Sequence, residues 1–341
     1  MRELGRCCRL CLPEFPDYDD RKNLVGQRFV NFAALRITLC LWLALCLAPT
    51  VQATSVFIVM DESNAGFAEV AQLLGAGLAR DGQSVTELRA VTAKEIRSAD
   101  AATHGKPKVW VALGTAAFQQ VLALDPKSQV IAALIPKSGF ERALKELGRK
   151  PAGPVTGLFL DQPVTRQMDL LKLVFPAVKR VGVLLGPESG LQRAALQHAA
   201  KARALELVSG MVTSDETLSA AVSAVVGDAQ ALLALPDTQV FSSTTISKVL
   251  LAAYRANVPM LAFSPAYVKA GALLSLHTTP AQMESQLVEW VRGALQGRTL
   301  PATQYPTNFV ITVNPYVARS MELKLDAADL TDHLRRLESN P

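Results

Sequence analysis

The residues able to hold a small molecule recur at one kind of position, just after an apolar run and just before a helical one. Ser63 and Asn64 follow VFIVMD, Gly114 and Thr115 follow KVWVAL, and Ser138 follows QVIAALI. Asp161 ends VTGLFLD, and Ser189 follows RVGVLLG beside Glu188. Asp237 and Thr238 follow ALLALP, and Ser264 closes PMLAFS, with Tyr267 in the helix after it. A helix N-terminus offers free N–H groups and a partial positive charge, which suit a carboxylate or phosphate. Asp161 and Asp237 can pair with a ligand ammonium, and Gly114 permits close backbone approach while Thr115 adds a hydroxyl. Tyr267 can stack on a planar ligand. Each position also has a plainer use: Ser, Thr, Asn and Asp are the preferred helix N-caps, and Tyr267 can be a core residue.

The same inventory argues against catalysis. Asp161, His277 and a serine make a triad on paper, but no G-x-S-x-G elbow accompanies them. His104, His198, His277 and His333 are scattered, and none pairs with another at metal-ligand spacing. Neither G-x-G-x-x-G nor a P-loop follows any strand. All five cysteines lie before residue 54, so a chain beginning at Thr54 has no thiol chemistry and no disulfide. The expectation is a binding protein without catalytic residues, cofactor or metal.

The elements that must position these residues alternate. Short apolar strands (Val56–Asp61, Lys108–Gly114, Gln129–Ile135, Val155–Asp161) are separated by amphipathic helices such as Phe67–Gly82 and Ser138–Leu147. The pattern then restarts at Arg180–Gly186, with a long helix read from Gly190 to about Glu206. It continues through Ala231–Asp237, Pro259–Ser264, Ala272–Thr279 and FVITVN. Uninterrupted apolar strands between helices mean parallel sheets covered on both faces, and two such series mean two similar lobes. Half of the 341 residues are apolar, enough for sizeable cores. Seven of the 35 Lys/Arg and five of the 30 Asp/Glu fall in residues 1–53, which leaves +3 for the remainder. With no basic stripe, that is no nucleic-acid footprint.

Ile37–Ala48, ITLCLWLALCLA, is apolar and uncharged but far short of the roughly 20 residues a membrane-spanning helix needs. Arg28 and Arg36 before it, Pro49 after it and the small Ala53 make it a signal-peptide core, with cleavage expected between Ala53 and Thr54. Cys40 and Cys46 each follow a leucine, where lipoprotein processing wants a small residue. Residues 1–24 read as an extension ahead of a start nearer Val25 or Val30.

Four segments in order carry a resemblance to a known family: LGTAA (Leu113–Ala117), FPAVKRVGVLLGPESG (Phe175–Gly190), LLALPDTQVFSSTTI (Leu232–Ile246), and a C-terminal part made of AFSPAYVKAGALLSL (Ala262–Leu276) later joined by FVITVNPYVARSMELKL. From about Val109 to Leu323 the chain resembles the ABC-transporter substrate-binding proteins of the periplasmic-binding type I fold, in the branch whose studied members bind aromatic amino acids. Its loop Ile135-Pro136-Lys137-Ser138 lacks the acidic, glycine-rich segment of the better-known members and is more similar to a short proteobacterial subgroup. The resemblance implies an α/β fold of two lobes, each a parallel sheet covered by helices, joined by three hinge crossovers near 160–164, 276–280 and 306–313. Lobe one is then 54–160 plus 281–298, lobe two 164–276 plus 309–323, and 324–341 a C-terminal tail behind the 1–53 leader. It further implies a periplasmic receptor that takes a small-molecule ligand in the interlobe cleft, with an ABC permease in the inner membrane as partner. A membrane sensor in place of the permease, or an exported enzyme on the same scaffold, are the alternatives.

Overall fold

The structure is a computed structural model that describes residues 55–60, 65–88 and 107–339, all within the compact unit Ala53–Pro341. Ser63, Asn64, His104 and the apolar segment Ile37–Ala48 lie outside the described residues.

The first lobe is built from β1 (Ser55–Met60), α1 (Ala65–Ala79), β2 (Ser84–Leu88), β3 (Val109–Leu113), α2 (Thr115–Leu124), β4 (Gln129–Ile135), α3 (Lys137–Leu147) and β5 (Val155–Phe159). Its five strands run parallel in the order β2-β1-β3-β4-β5. Every residue of β3 is buried, as an apolar run with helices on both sides requires. Side chains alternate between two cores. Val56, Ile58 and Val111 meet Leu74 of α1 on one face, and Phe57, Val59 and Trp110 meet Phe118 and Phe140 on the other.

The second lobe repeats the plan. It comprises α4 (Val164–Val174), β6 (Arg180–Leu185), a 3-10 turn (Ser189–Gln192), α5 (Arg193–Lys201), β7 (Glu206–Met211), α6 (Asp215–Asp228), β8 (Ala231–Leu233), α7 (Ile246–Arg255), β9 (Met260–Ala262), α8 (Pro265–Ala270) and β10 (Leu274–His277). Its strands follow the same order, β7-β6-β8-β9-β10, with β11 (Val310–Val313) added antiparallel to β10. Between β10 and β11 the chain returns to the first lobe, where α9 (Pro280–Leu295) packs Met283, Leu287 and Val291 into the α1 core. After β11 come α10 (Pro315–Ser320) and α11 (Ala327–Ser339).

Two segments differ from the sequence reading. The helix expected from Gly190 to Glu206 is a 3-10 turn followed by the shorter α5; the chain reverses through Ala204 at φ 53°, and the Glu206 N–H donates to the Lys179 carbonyl at the start of β7. Edge pairing with β6 takes residues whose helical periodicity alone would have continued. The charged segment read as a tail contains α11, whose Leu330 and Leu334 sit one turn apart and are buried in the second lobe's core.

Where the chain crosses between lobes, a buried polar cluster ties the crossings together. Arg166 of α4, 7% exposed, donates to the Gln162 side-chain oxygen (2.6 Å) and to the Pro306 carbonyl (3.1 Å). Its Nε donates to Glu338 of α11 at 2.5 Å, and its guanidinium lies 4.4 Å over the Phe309 ring. Gln162 in turn donates to Thr278, and Thr278 to the Asn308 carbonyl. Arg166→Leu strands three acceptors, two of them on crossing segments. It is expected to lower the unfolding free energy by about 3 kcal/mol, measured by urea denaturation; a loss under about 0.5 kcal/mol, the range of ordinary surface substitutions, would contradict this role.

Candidate ligand-binding cleft

Parallel strands deliver every following helix N-terminus to one edge of a sheet. At that edge lies a cavity of about 520 Å³ with walls from both lobes: Phe67 and Val70 of α1, Leu134 of β4 and Met283 of α9 from the first, Phe263, Ser264 and Pro265 from the second. Leu160 and His277–Pro280, on the crossings, also line it. Among the described residues lining it, none carries a full charge. His277 Nδ1 lies 3.1 Å from the Ser275 hydroxyl, and burial holds its pKa below the usual value, so the ring is neutral. Thr279 and Gln282 cap α9 reciprocally, and Ser264 accepts from the Ala266 N–H of α8. The cavity is therefore a largely apolar slot with a few small polar groups in its wall. Gly114 makes one wall possible: its φ of 88° is left-handed, and a Cβ there would stand 2.6 Å from the Phe67 ring.

Leu160 also lines a second, much smaller cavity that Asp161 borders. Asp161 is 3% exposed. One of its oxygens, Oδ1, accepts the Lys137 N–H at 2.9 Å and so caps α3, whose own N-cap position is Pro136. Its Oδ2 has no hydrogen-bond partner, nor has the hydroxyl of Ser138, itself 2% exposed. Thr115 packs on the next residue of α3, where a Cβ on Gly139 would meet its hydroxyl at 3.0 Å. From the second lobe, the Gln192 amide lies near enough to depress the Asp161 pKa without closing a hydrogen bond. Burial dominates nonetheless and raises the carboxyl to about 6. The Tyr305 phenol is also pushed up, first by burial and then by Asp161 and Glu141. Arg142 of α3 reaches Glu188 of the second lobe at 3.5 Å, which brings the two lobes into direct contact beside this group.

Residues 106–327 match the family described as ABC transporter substrate binding protein. The chain belongs to that family. As a substrate-binding protein it is 24% identical over 206 residues to a tyrosine-binding protein of Clostridioides difficile (strain R20291), covering 58% of this chain and 59% of that one. A conserved domain protein from Vibrio cholerae shares the fold at a TM-score of 0.61 and 21% identity, with 82% and 98% of the chains covered. A ligand-free, open substrate-binding protein with adhesive properties from Clostridium difficile superposes at 0.66 and 17% identity, covering 80% and 96%. A domain from Streptococcus pneumoniae in complex with L-Trp superposes at 0.59 and 20%, covering 81% and 97%. Among the described residues of this substrate-binding protein, no helix is long and apolar enough to cross a membrane, and no group of three or more His, Cys, Asp or Glu side chains is placed to hold a metal.

The sequence-selected residues divide into two groups. Thr115 and Asp161 gather around Ser138 at the start of α3, touching Gly139 and Lys137, while Gly114 lies against Phe67 and Ser264 lines the cavity from the second lobe. Ser189 and Asp237 instead bind each other. Asp237 Oδ2 accepts from the Glu188 N–H, the Ser189 N–H and the Ser189 hydroxyl, and Oδ1 accepts from Gln239 N–H. The same serine accepts the Gly186 N–H. Thr238 is exposed beside them. Tyr267 donates to the Phe241 carbonyl and meets Phe263 edge-on at 5.0 Å, standing behind the cleft wall. Sequence reasoning passed over Phe67, Leu134, Phe263 and Met283, because polar residues were sought and these walls are apolar.

The raised pKa of Asp161 has a definite sign. The folded chain holds this proton more tightly than the unfolded chain, so wild type loses stability as pH climbs from about 3.8 through about 6. The loss is about 3 kcal/mol. Asp161→Asn keeps the acceptor for Lys137 and cannot ionise. It is expected to match wild type near pH 4 and exceed it by about 3 kcal/mol at pH 7.5 in urea unfolding; a difference independent of pH would contradict the assignment.

Proposed function

We propose that this chain is the periplasmic receptor of an ABC-type uptake system, and that it captures a small amino-acid-like solute bearing an apolar or aromatic group. The observation that carries this reading is an uncharged apolar slot walled by both lobes; the small cavity bordered by Asp161 shares Leu160 and Phe263 with it, and Asp161 and Ser138 each keep a buried polar atom unpartnered at the start of α3. A ligand of two characters fits such an arrangement. Its apolar part lies between Phe67 and Phe263, and its ammonium supplies the donors that Asp161 Oδ2 and Ser138 lack.

The relatives support the same class, since one is a tyrosine-binding protein and another was solved with L-Trp. The chain spans about 59% of the length of that curated relative, so its ligand is carried over as part of the proposal. Export rests on the apolar segment Ile37–Ala48 and cleavage after Ala53. Capture rather than turnover is supported by the family, whose members are described as substrate-binding proteins. Transport then requires that ligand favour the closed arrangement, which docks on the membrane permease better than the open one.

A thermal-shift series tests this with L-tyrosine, L-phenylalanine and L-tryptophan against sugars and nucleobases. At a hundredfold excess over Kd a ligand adds about 2.7 kcal/mol, or roughly 4–5 °C for a unit of this size. At least one aromatic amino acid is expected to give such a rise without being consumed. A rise with sugars alone, or product formation, would overturn the reading.

A further inference from the structure

We propose that Leu134 sets the size of the apolar group that the cleft accepts, and that a bulge in β4 exists to aim it there. This rests on the receptor reading above and extends it to a named residue.

Side chains along β4 alternate as a strand requires up to Ala133: Val130 and Ala132 face the α2–α3 core, Ile131 and Ala133 the α1–α9 core. Strict alternation would send Leu134 to the α2–α3 side and Ile135 to the α1–α9 side. The reverse is found, with Leu134 in the α1–α9 core and Ile135 in the other. The register of β4 with β5 shifts between Ala133 and Ile135, and Leu134 stands at φ 54°. Four other non-glycine described residues have positive φ: Asp125, Ala204, Asn257 and Glu322. Each follows a helix, where a left-handed residue is an ordinary ending. Leu134 alone among the described residues adopts it inside a strand, with a branched side chain that disfavours it.

The distortion is pinned on both sides. The Gly114 N–H donates to the Ala133 carbonyl at 2.8 Å, and the Leu160 N–H donates to the Ile135 carbonyl at 2.9 Å. What it achieves is local: the Leu134 side chain enters the cavity wall beside Phe67, Val70 and Met283. A regular strand would turn Leu134 away from that wall and present Ile135 to this face instead, one residue further along β4. A backbone conformation held against its preference, serving one side chain at the cleft, points to a fitted contact with the occupant.

Two variants separate this from simple core packing. Leu134→Gly empties the site and suits the left-handed backbone, whereas Leu134→Ala empties it and keeps the strain. The glycine variant is expected to melt at or above the alanine variant, the reverse of the usual order inside a strand. Kd values for L-tyrosine and L-tryptophan, by calorimetry, are expected to shift in ratio by roughly tenfold toward the larger ring in Leu134→Gly. An unchanged ratio, or an alanine variant that melts above the glycine one, would overturn the proposal. If wild type binds neither amino acid, the ligand class proposed above fails. The gate is then read with 8-anilino-1-naphthalenesulfonate: stronger dye binding by Leu134→Gly supports it, and unchanged binding overturns it.

Discussion

The guanidinium of Arg166 sits where the chain crosses between lobes, with Gln162 from one crossing and the Pro306 carbonyl from another as its acceptors. Thr278 adds the remaining crossing through Gln162 and Asn308. Burying a guanidinium is costly unless its N–H groups find partners and its face a surface. Glu338 and the Phe309 ring complete both conditions. The cluster thus holds three separate chain passages in one bundle and recruits α11 to do so. Each lobe has its own two-sided core, so relative movement of the lobes has to be absorbed at this bundle.

The two lobes use one sequence device for opposite ends. Each has an aspartate near a strand end and a serine at a helix or turn start. In the second lobe, Asp237 and Ser189 satisfy each other and the loop N–H groups around them, and Gly186 leaves the space, since a Cβ there would stand 2.3 Å from Asp237 Oδ1. In the first, Asp161 receives the single Lys137 N–H and keeps an oxygen unmatched, beside an equally unmatched Ser138. A filled network braces, while a partly filled buried one is costly until another donor arrives. That difference in local donor supply separates a satisfied loop brace from a carboxylate left with an open acceptor, and it cannot be read from residue types.

The alternation of apolar runs and amphipathic helices made the two parallel sheets legible, because burial on both faces leaves a direct imprint on composition. The same logic pointed to Gly114, Thr115, Ser138 and Asp161, which the fold does put at or just beyond the ends of parallel strands. It failed where tertiary context overrides local pattern. Glu206 looks helical and joins a strand, and α11 looks like a charged tail although Leu330 and Leu334 anchor it. Leu134 was the least legible of all, because QVIAALI reads as a regular strand and nothing in its composition announces a bulge.

The proposed ligand lies between the lobes with its apolar group in the slot and its amine on Asp161 Oδ2. A crystal structure of the full chain grown with L-tyrosine tests it most directly. The account predicts the ring between Phe67 and Phe263, against Leu134, and the amino group within hydrogen-bond distance of Asp161 Oδ2. A ligand seated on one lobe alone, or an amine directed away from an Asp161 that remains unpartnered, would contradict it.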